Sequence, residues 1–404
     1  MVKAHSLLYA IYICLIVSVI CGALLYFANL YTQLNLHYNL HEELYLSNQS
    51  LVNFALGNKG VEAEVPVDEN TGIAGNYEMK NYGLLTLLLA RSFVRNDTVA
   101  SAHFIGYFGK DKIAVWLANY TNPLSFSGAV RLVGDLRLPS EIITPTYITS
   151  AMNKLETVGE IKISDRELPE INPAFKTIFD GISAEKTPIS EIEKPNDSIY
   201  YNSFFNATKE VYVRSNIVAR KNFKGNFVLR SKDSLFISKT AVLEDVILAA
   251  PKITFEEGFS GTVQAFATST INTGENVVLN YPSVLCVFNK STEPAGIKIK
   301  KNNTITGAVV LFGNTMEMPR ENTIEIAEGG RIIGDIYCAG KLMLQSTLYG
   351  TVTTNSFFYK NGSGIFDNLI YNVEINALKQ PPYFISVPLF ETKEKQYGIL
   401  KKVL

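Results

Sequence analysis

Short strands of the form apolar–x–apolar, closing on glycine, recur through the second half of the chain. ILAAPKITFEEGFSG (247–261) and IYCAGKLMLQSTLYG (336–350) are both fifteen residues long and start 89 residues apart. Laid together, Lys252 falls on Lys341, Ile253 on Leu342, Phe255 on Leu344 and Gly261 on Gly350. IKIKKNNTITG (297–307) and IEIAEGGRIIG (324–334) make a second pair, 27 residues apart, closing on Gly307 and Gly334. GAVRLVGDLRLPS (128–140) and GNFVLRSKDSLFIS (225–238) are weaker copies. Apolar residues at i and i+2 of a strand share one face. Glycine permits the backbone that a sharp corner needs. One such rung cannot bury its apolar face, but stacked rungs share a continuous core. The pattern therefore predicts a mainly β protein built on a right-handed parallel β-helix, a solenoid over 201–376. A β-sandwich or barrel is the alternative. It requires hairpin signals between alternating runs, and Asn361-Gly362 is the one good match.

The front of the chain has a different period. Residues 7–31, LLYAIYICLIVSVICGALLYFANLY, carry no charge, and their length suffices to cross a bilayer with some tilt. Lys3 and His5 precede this run, and Glu42 and Glu43 are the first acidic residues after it. That asymmetry predicts a cytoplasmic tip at 1–5, a transmembrane helix at 6–31 and the remainder outside the cytoplasm, in the periplasm or beyond. Tyr12, Tyr26 and Tyr31 are candidates for the interfacial belt. A cleaved signal peptide is the competing reading; the run is long for a signal core and no clear small-x-small site follows it. Leu36, Leu40, Leu44 and Leu51 continue an apolar stripe, with no proline before Pro66 and no glycine between Gly22 and Gly57. This predicts one helix to about Leu56, whose stripe packs on the head domain or on a partner helix. Stalk and linker together occupy 32–76.

Between stalk and solenoid, 77–200 reads as a mixed β cap with the first solenoid strands. LLTLLLARSFV (84–94), SAHFIGYFG (101–109) and DKIAVWLANYT (111–121) read as strands, the last two joined by a Gly109-Lys110 turn. ITSAMNKLETVGE (148–160) fits a short helix or an extended stretch, and the Pro- and charge-rich 168–197 fits a surface loop or a short helix. The tail, 377–404, loses the glycine pattern and is expected to wrap back along the solenoid.

MVKAHSLLYAIYICLIVSVICGALLYF resembles the N-terminal helix of the pilin-like proteins of type IV pilus and type II secretion systems, above all the PilX-type and K-type minor pseudopilins. The resemblance covers about the first 55 residues; the chain lacks a Gly-Phe-type prepilin peptidase site and a Glu near the start of the apolar run. It implies a membrane partner, and pilus or secretion proteins as partners of the helix. The Gly-cornered second half is similar to the bactofilin domain, a polymer-forming β-helix, which implies self-association. PLSFSGAVRLVGDLRLP (123–139) and EIKISDRELPEI (160–171) resemble stretches of membrane-anchored proteins of the Bacteroidota, and no biochemical activity comes with that likeness.

Charge and chemistry narrow the choice. A net charge of −1 supplies no basic face for nucleic acid. Four cysteines are few for a disulfide framework. Cys14 and Cys21 fall in the membrane run, while Cys286 and Cys338 fall in apolar strands, where packing is the default and a bridge needs stacking in neighbouring rungs. Glu244-Asp245, Glu256-Glu257 and Asp335 lie at predicted corners, and solvation is the simplest role for them. The chain has no HExxH, Walker or GxSxG motif. His37 and His41 stand at i,i+4 beside Glu42 and Glu43, which suits a solvated helix face better than a metal site. The sequons at Asn48, Asn119, Asn206 and Asn289 carry no information without the organism. No catalytic residue, cofactor or metal is expected. The structural residues singled out are Leu36, Leu40, Leu44 and Leu51 on the stalk and Gly261, Gly307, Gly334 and Gly350 at corners. The reading is a non-enzymatic envelope scaffold anchored in the inner membrane. The alternatives are an adhesin or carbohydrate-binding module, which requires an exposed aromatic stripe, and a polysaccharide lyase or glycosidase, which requires converging carboxylates.

Overall fold

The computed structural model describes residues 4–57, 62–65, 72–107, 113–148, 152–183, 199–313, 321–381, 384–387, 389–390 and 397–403. Part of the tip at 1–5, the Gly109-Lys110 turn and the 184–198 part of the Pro-rich stretch lie outside these residues. The chain divides into two compact units, Met1–Glu78 with Ala90–Ser101, and Met79–Leu89 with Ala102–Leu404.

The first unit is dominated by α1, Ala4–Gly57, a single unbroken helix as the missing helix breakers predicted. Its apolar N-terminal part is long enough to cross a membrane and none of that window is buried. Its last third is buried along one face, at Leu44, Asn48, Leu51, Val52 and Ala55. Leu44 packs with Ile73 and Val94. Gly75 lies so close to Leu51 that an added Cβ would sit 3.0 Å from its side chain.

The second unit consists mainly of short parallel strands that pair in three ladders. In one, Leu229, Leu248, Ala265, Leu285, Val309, Ile336, Val352, Val115, Leu136 and Ile161 are successive register partners. In another, Leu235, Ile253, Ile271, Ile297, Ile324, Leu342 and Phe357 follow one another. The third runs through Leu279, Ile305, Ile332, Leu348, Ile375 and Leu132. These columns share one buried core. At about 25 cal/mol per Å² of apolar surface, a column of buried aliphatic residues outweighs any single surface contact. Ile, Leu and Val accordingly fill most of the inward positions, with Ala265 and Phe357 among the others.

The first ladder is buried on its other face too. Val228, Ile247, Phe266, Val284, Phe288, Val310 and Phe312 join a second core with Phe175 and Phe179 of α2 (Ala174–Ser183). Leu84, Leu85, Phe104, Leu389 and Val403 complete it. This double burial explains the continuous apolar runs VILAA, VLCVF and AVVLF, which show no alternation.

The strands expected at 84–94, 101–109 and 111–121 are found as Leu85–Val94, Asp97–Tyr107 and Ile113–Leu117. The first two join an antiparallel sheet with Glu62–Val65, Ala74–Tyr82 and Tyr397–Val403. The tail thus supplies an edge strand, Tyr397 opposite Tyr107 and Val403 opposite Ala102. In 148–160 the extended option holds, as Lys154–Val158.

Chain order is where the expectation fails. The coils at 113–163 do not precede the stack that begins at Ile199; they follow its far end. Val115 pairs with Val352, Ser125 with Leu369 and Arg131 with Glu374. The level made by Val352–Asn361, Leu369–Tyr371 and Glu374–Asn376 is thus followed by one made by Ile113–Leu117, Ser125–Ser127 and Ala129–Val133. Only geometry, not local pattern, reveals such a permuted order, because each rung looks alike.

Candidate functional site

Two features were singled out from sequence as carrying the structure, the stalk stripe and the glycine corners. On the stalk, Leu44 and Leu51 are buried, Leu40 is half-buried and Leu36 is 64% exposed. At 100° per residue the four leucines span only about 80° of the helix surface, so they do share one stripe; it is the burial that ends near Leu40, one turn before Leu44, and leaves Leu36 exposed. The face that does pack runs Leu44, Asn48, Leu51 and Ala55, at spacings of four, three and four. Asn48 was read only as a sequon, yet it is buried. Its side-chain amide donates to the Val99 carbonyl at 3.2 Å, and the Ser101 hydroxyl donates to its Oδ1 at 2.5 Å. A buried amide with both ends satisfied fixes register along an otherwise apolar contact. Asn289 is buried too, donating to the Glu293 carbonyl and to Asn322.

The corners separate into two kinds. Gly307, Gly334 and Gly350 have φ of +147°, +136° and +154°. A Cβ on Gly307 would lie 1.8 Å from the Ser283 carbonyl oxygen, on Gly334 1.7 Å from that of Gly307, and on Gly350 1.9 Å from that of Gly334. The three therefore form one column, each filling the space a side chain would take. Gly261 does not belong to it. Its register partner is Leu279, in the column that leads to Leu348, and its φ is not left-handed. The fifteen-residue match holds for Lys252/Lys341 and Ile253/Leu342, which are linked through successive partners, and Phe255 and Leu344 lie two residues further along the same strands. It then slips, because Ser260 occupies the level position of Thr347. The turn Glu256–Phe259 is two residues longer than Gln345–Ser346, so the glycines cannot coincide.

The acidic corners hold structure together. Asp245, at φ +60°, is buried and receives Lys401 at 2.7 Å; Glu244 bridges to Lys224 at 3.1 Å. Burial raises the Asp245 carboxyl above its usual range, against the pull of Lys401. Burial likewise raises Asp335, which accepts from the Ser386 hydroxyl and the Thr351 N–H. Glu256 accepts from the Ser238 hydroxyl at 2.7 Å and the Lys239 N–H at 2.8 Å, closing a turn. Tyr82, buried, brings its hydroxyl to 3.0 Å from the Phe227 and Asp245 carbonyls and 3.3 Å from that of Gly225. Gln264 donates to the Tyr82 carbonyl and accepts from the Leu84 N–H, both at 2.9 Å. Tyr281 exchanges hydrogen bonds with both the N–H and the carbonyl of Ile385, and burial pushes its hydroxyl up to about 12. Sequence reasoning found none of these clasps; those of Tyr82, Gln264, Tyr281 and Lys401 join partners more than 100 residues apart, which leave no local signal.

Cys286 and Cys338 do not pair. Cys286 belongs to the outer core and Cys338 to the inner one, and the register partner of Val310, itself opposite Cys286, is Tyr337. Burial pushes both thiols up, Cys338 to about 12, which leaves them protonated and unreactive. His37 and His41 are exposed, and among the described residues no group of three or more His, Cys, Asp or Glu could hold a metal ion. The exposed aromatics among the described residues of the stack, such as Tyr120, Tyr147, Tyr201 and Phe236, are scattered over turns and different ladders and form no stripe.

These features define a mainly β protein with one long, apolar N-terminal helix, of the kind a membrane anchor or a signal sequence provides. No protein-family model matches the chain, and no curated protein matches it, so the bactofilin and Bacteroidota likenesses gain no support. Among solved structures, the chain is similar to the competence-associated pilin ComZ from Thermus thermophilus. The identity is 10% and the TM-score 0.16, over 85% of this chain and 88% of that one. A TM-score that low does not establish a shared fold.

Proposed function

We propose that the protein is a single-pass membrane-anchored structural component of a bacterial envelope. In this reading α1 holds a right-handed parallel β-helix outside the cytoplasmic membrane, and the protein acts as a scaffold, without catalysis or cofactor. The carrying observation is the helix itself. It is uncharged and unburied over 7–31, then continues without a break until Leu44, Leu51 and Ala55 are packed on the strands of the same unit. A signal peptide has no need of a continuation that packs into the folded protein, whereas a retained anchor does. Right-handedness follows from the near-universal hand of parallel crossover connections. The pseudopilin-like part of the reading rests on the uncharged N-terminal run and its stalk. It predicts pilus or secretion proteins as partners of the exposed helix, self-association through the same surface, and no nucleic-acid partner.

The test is topological. A C-terminal alkaline phosphatase fusion should be active, and a reporter that works only in the cytoplasm should be silent at the same site. N-terminal sequencing of the membrane fraction should recover residues 1–31. An inactive phosphatase fusion would overturn the location, and loss of the first 31 residues would overturn the anchor.

A further inference from the structure

Successive coils of the stack are joined by short turns. The 242–255, 260–273 and 278–299 passes follow one another directly, as do 304–326, 331–344 and 347–357. Pulling two such neighbours apart strains the turn that connects them. One boundary lacks this tether. Where the N-terminal coils meet the C-terminal ones, the helical path steps from Asn376 to Ile113, residues that are remote in the chain. What holds this boundary is noncovalent: strand pairing, the shared apolar core and a few side chains. Val115–Leu117 lie on Val352–Thr354, Ser125–Ser127 on Leu369–Tyr371, and Arg131–Val133 on Glu374–Asn376.

Side chains specify the seam. Asn368 and Asn372 both hold φ of +49°. Asn368 donates to the Asn122 carbonyl at 2.9 Å while its Oδ1 accepts from the Phe357 N–H; Asn372 Oδ1 accepts from the Ala129 N–H at 2.9 Å. Arg131 reaches Glu374 across the seam at 3.2 Å and Glu156 within the N-terminal coils at 3.0 Å. The N-terminal coils are also linked among themselves, by Ala129–Val133 on Lys154–Val158 and Leu136–Leu138 on Ile161–Ile163.

We propose that residues 113–163 are a separable end cap, which opens as one unit at this seam while the 199–344 stack stays closed. Cooperative opening follows contiguous elements, and the boundary with no covalent tether is where the smallest set of interactions must break to free a whole unit. The cap keeps its internal pairings when it lifts, and the end it uncovers is the unpaired edge of all three ladders.

Amide hydrogen exchange on the full-length protein in detergent tests this. In the unmodified protein, amides of 113–138 and 154–163 should share one opening rate, at least about tenfold faster than that of 242–344. Arg131→Glu sets a third carboxylate between Glu374 and Glu156, and should speed exchange of the cap alone. Lys301→Glu is the matched control. It reverses a charge in the 2.6 Å pair with Glu328, which links two tethered neighbours, and should leave the cap's exchange unchanged. If cap and stack exchange at one common rate in the unmodified protein, or if Arg131→Glu speeds 242–344 as much as 113–163, the cap is not a separate unit.

Discussion

Replacing Gly334 by alanine adds one methyl group, and the geometry assigns it a large cost. Real Cβ atoms essentially never come within 3.0 Å of another heavy atom outside their neighbours, yet this one would stand 1.7 Å from the Gly307 carbonyl oxygen and 3.1 Å from the Phe384 ring. The neighbouring coil would have to retreat by about 1.3 Å, the shortfall against that limit. The Gly307 backbone is itself fixed against Ser283, so the displacement passes to the next coil. The backbone at φ +136° adds strain of its own. Strain of about 1–3 kcal/mol and overpacking of about 1–3 kcal/mol give a loss of about 2–6 kcal/mol. Three controls separate the terms. Gly258, at φ +77°, has nothing within 4 Å of where a methyl group would stand, so Gly258→Ala carries strain alone, about 1 kcal/mol. Gly261 has no left-handed φ but a methyl there would lie 2.8 Å from the Leu243 oxygen, so Gly261→Ala carries overpacking alone, about 1–3 kcal/mol. Lys341→Val removes a surface pair with Asp367 and should cost less than about 1 kcal/mol. The measurement is the urea midpoint of full-length protein in detergent, followed by far-UV circular dichroism. The order of loss should be Gly334, Gly261, Gly258, Lys341. If Gly334→Ala shifts the midpoint no further than Gly258→Ala, the column of close carbonyl contacts does not stabilise the corner.

Three further outcomes test other contacts. Asn48→Ala should cost about 1–3 kcal/mol by leaving the Val99 carbonyl and the Ser101 hydroxyl without their partner; protease cleavage near Gly57 should rise with it, and an unchanged digestion pattern would count against the docked helix. Tyr82→Phe should lower the same urea midpoint by about 1–3 kcal/mol, since it empties the centre of three carbonyls; a midpoint equal to the parent's would show the clasp is idle. Burial, with Lys402 adding to it, holds His103 below its ordinary value of 6.5, so the folded state binds fewer protons than the unfolded one, and stability should fall as the pH drops through about 6.5 toward the depressed value. Asp245 and Asp335 are raised and act in the opposite sense in more acidic solution. The check is the difference between parent and His103→Gln midpoints from pH 8 to 5.5, which should narrow as the pH drops; a constant difference refutes the assignment.

What could be read in advance, and what could not, follows from the range of each interaction. The long helix was legible because its determinants are local, an uncharged run and the lack of any glycine or proline from 23 to 56. The inward columns were legible for the same reason, since Ile297–Ile299 and Ile324–Ile326 carry the strand alternation within three residues and repeat it 27 residues later. Glycine marked the corners where its neighbours demanded it, at Gly307, Gly334 and Gly350. It misled at Gly261, because identical strings tolerate a turn longer by two residues without any change in their apolar pattern. Alternation failed where a strand is covered on both faces. There VLCVF reads only as apolar, and nothing in it announces Phe179 of α2 against Phe288, 5.2 Å apart between ring centres. The permuted order is the furthest from sequence. Val115 and Val352 meet in the middle of an unbroken aliphatic column, and any of the column's members would satisfy that contact equally well. The register is therefore chosen by the polar groups around it, by Asn368, Asn372 and Arg131, whose contacts to Asn122, Ala129 and Glu374 exist only once both ends of the chain have come together. A stack of interchangeable parallel rungs needs such groups most at a junction where the chain does not dictate the order.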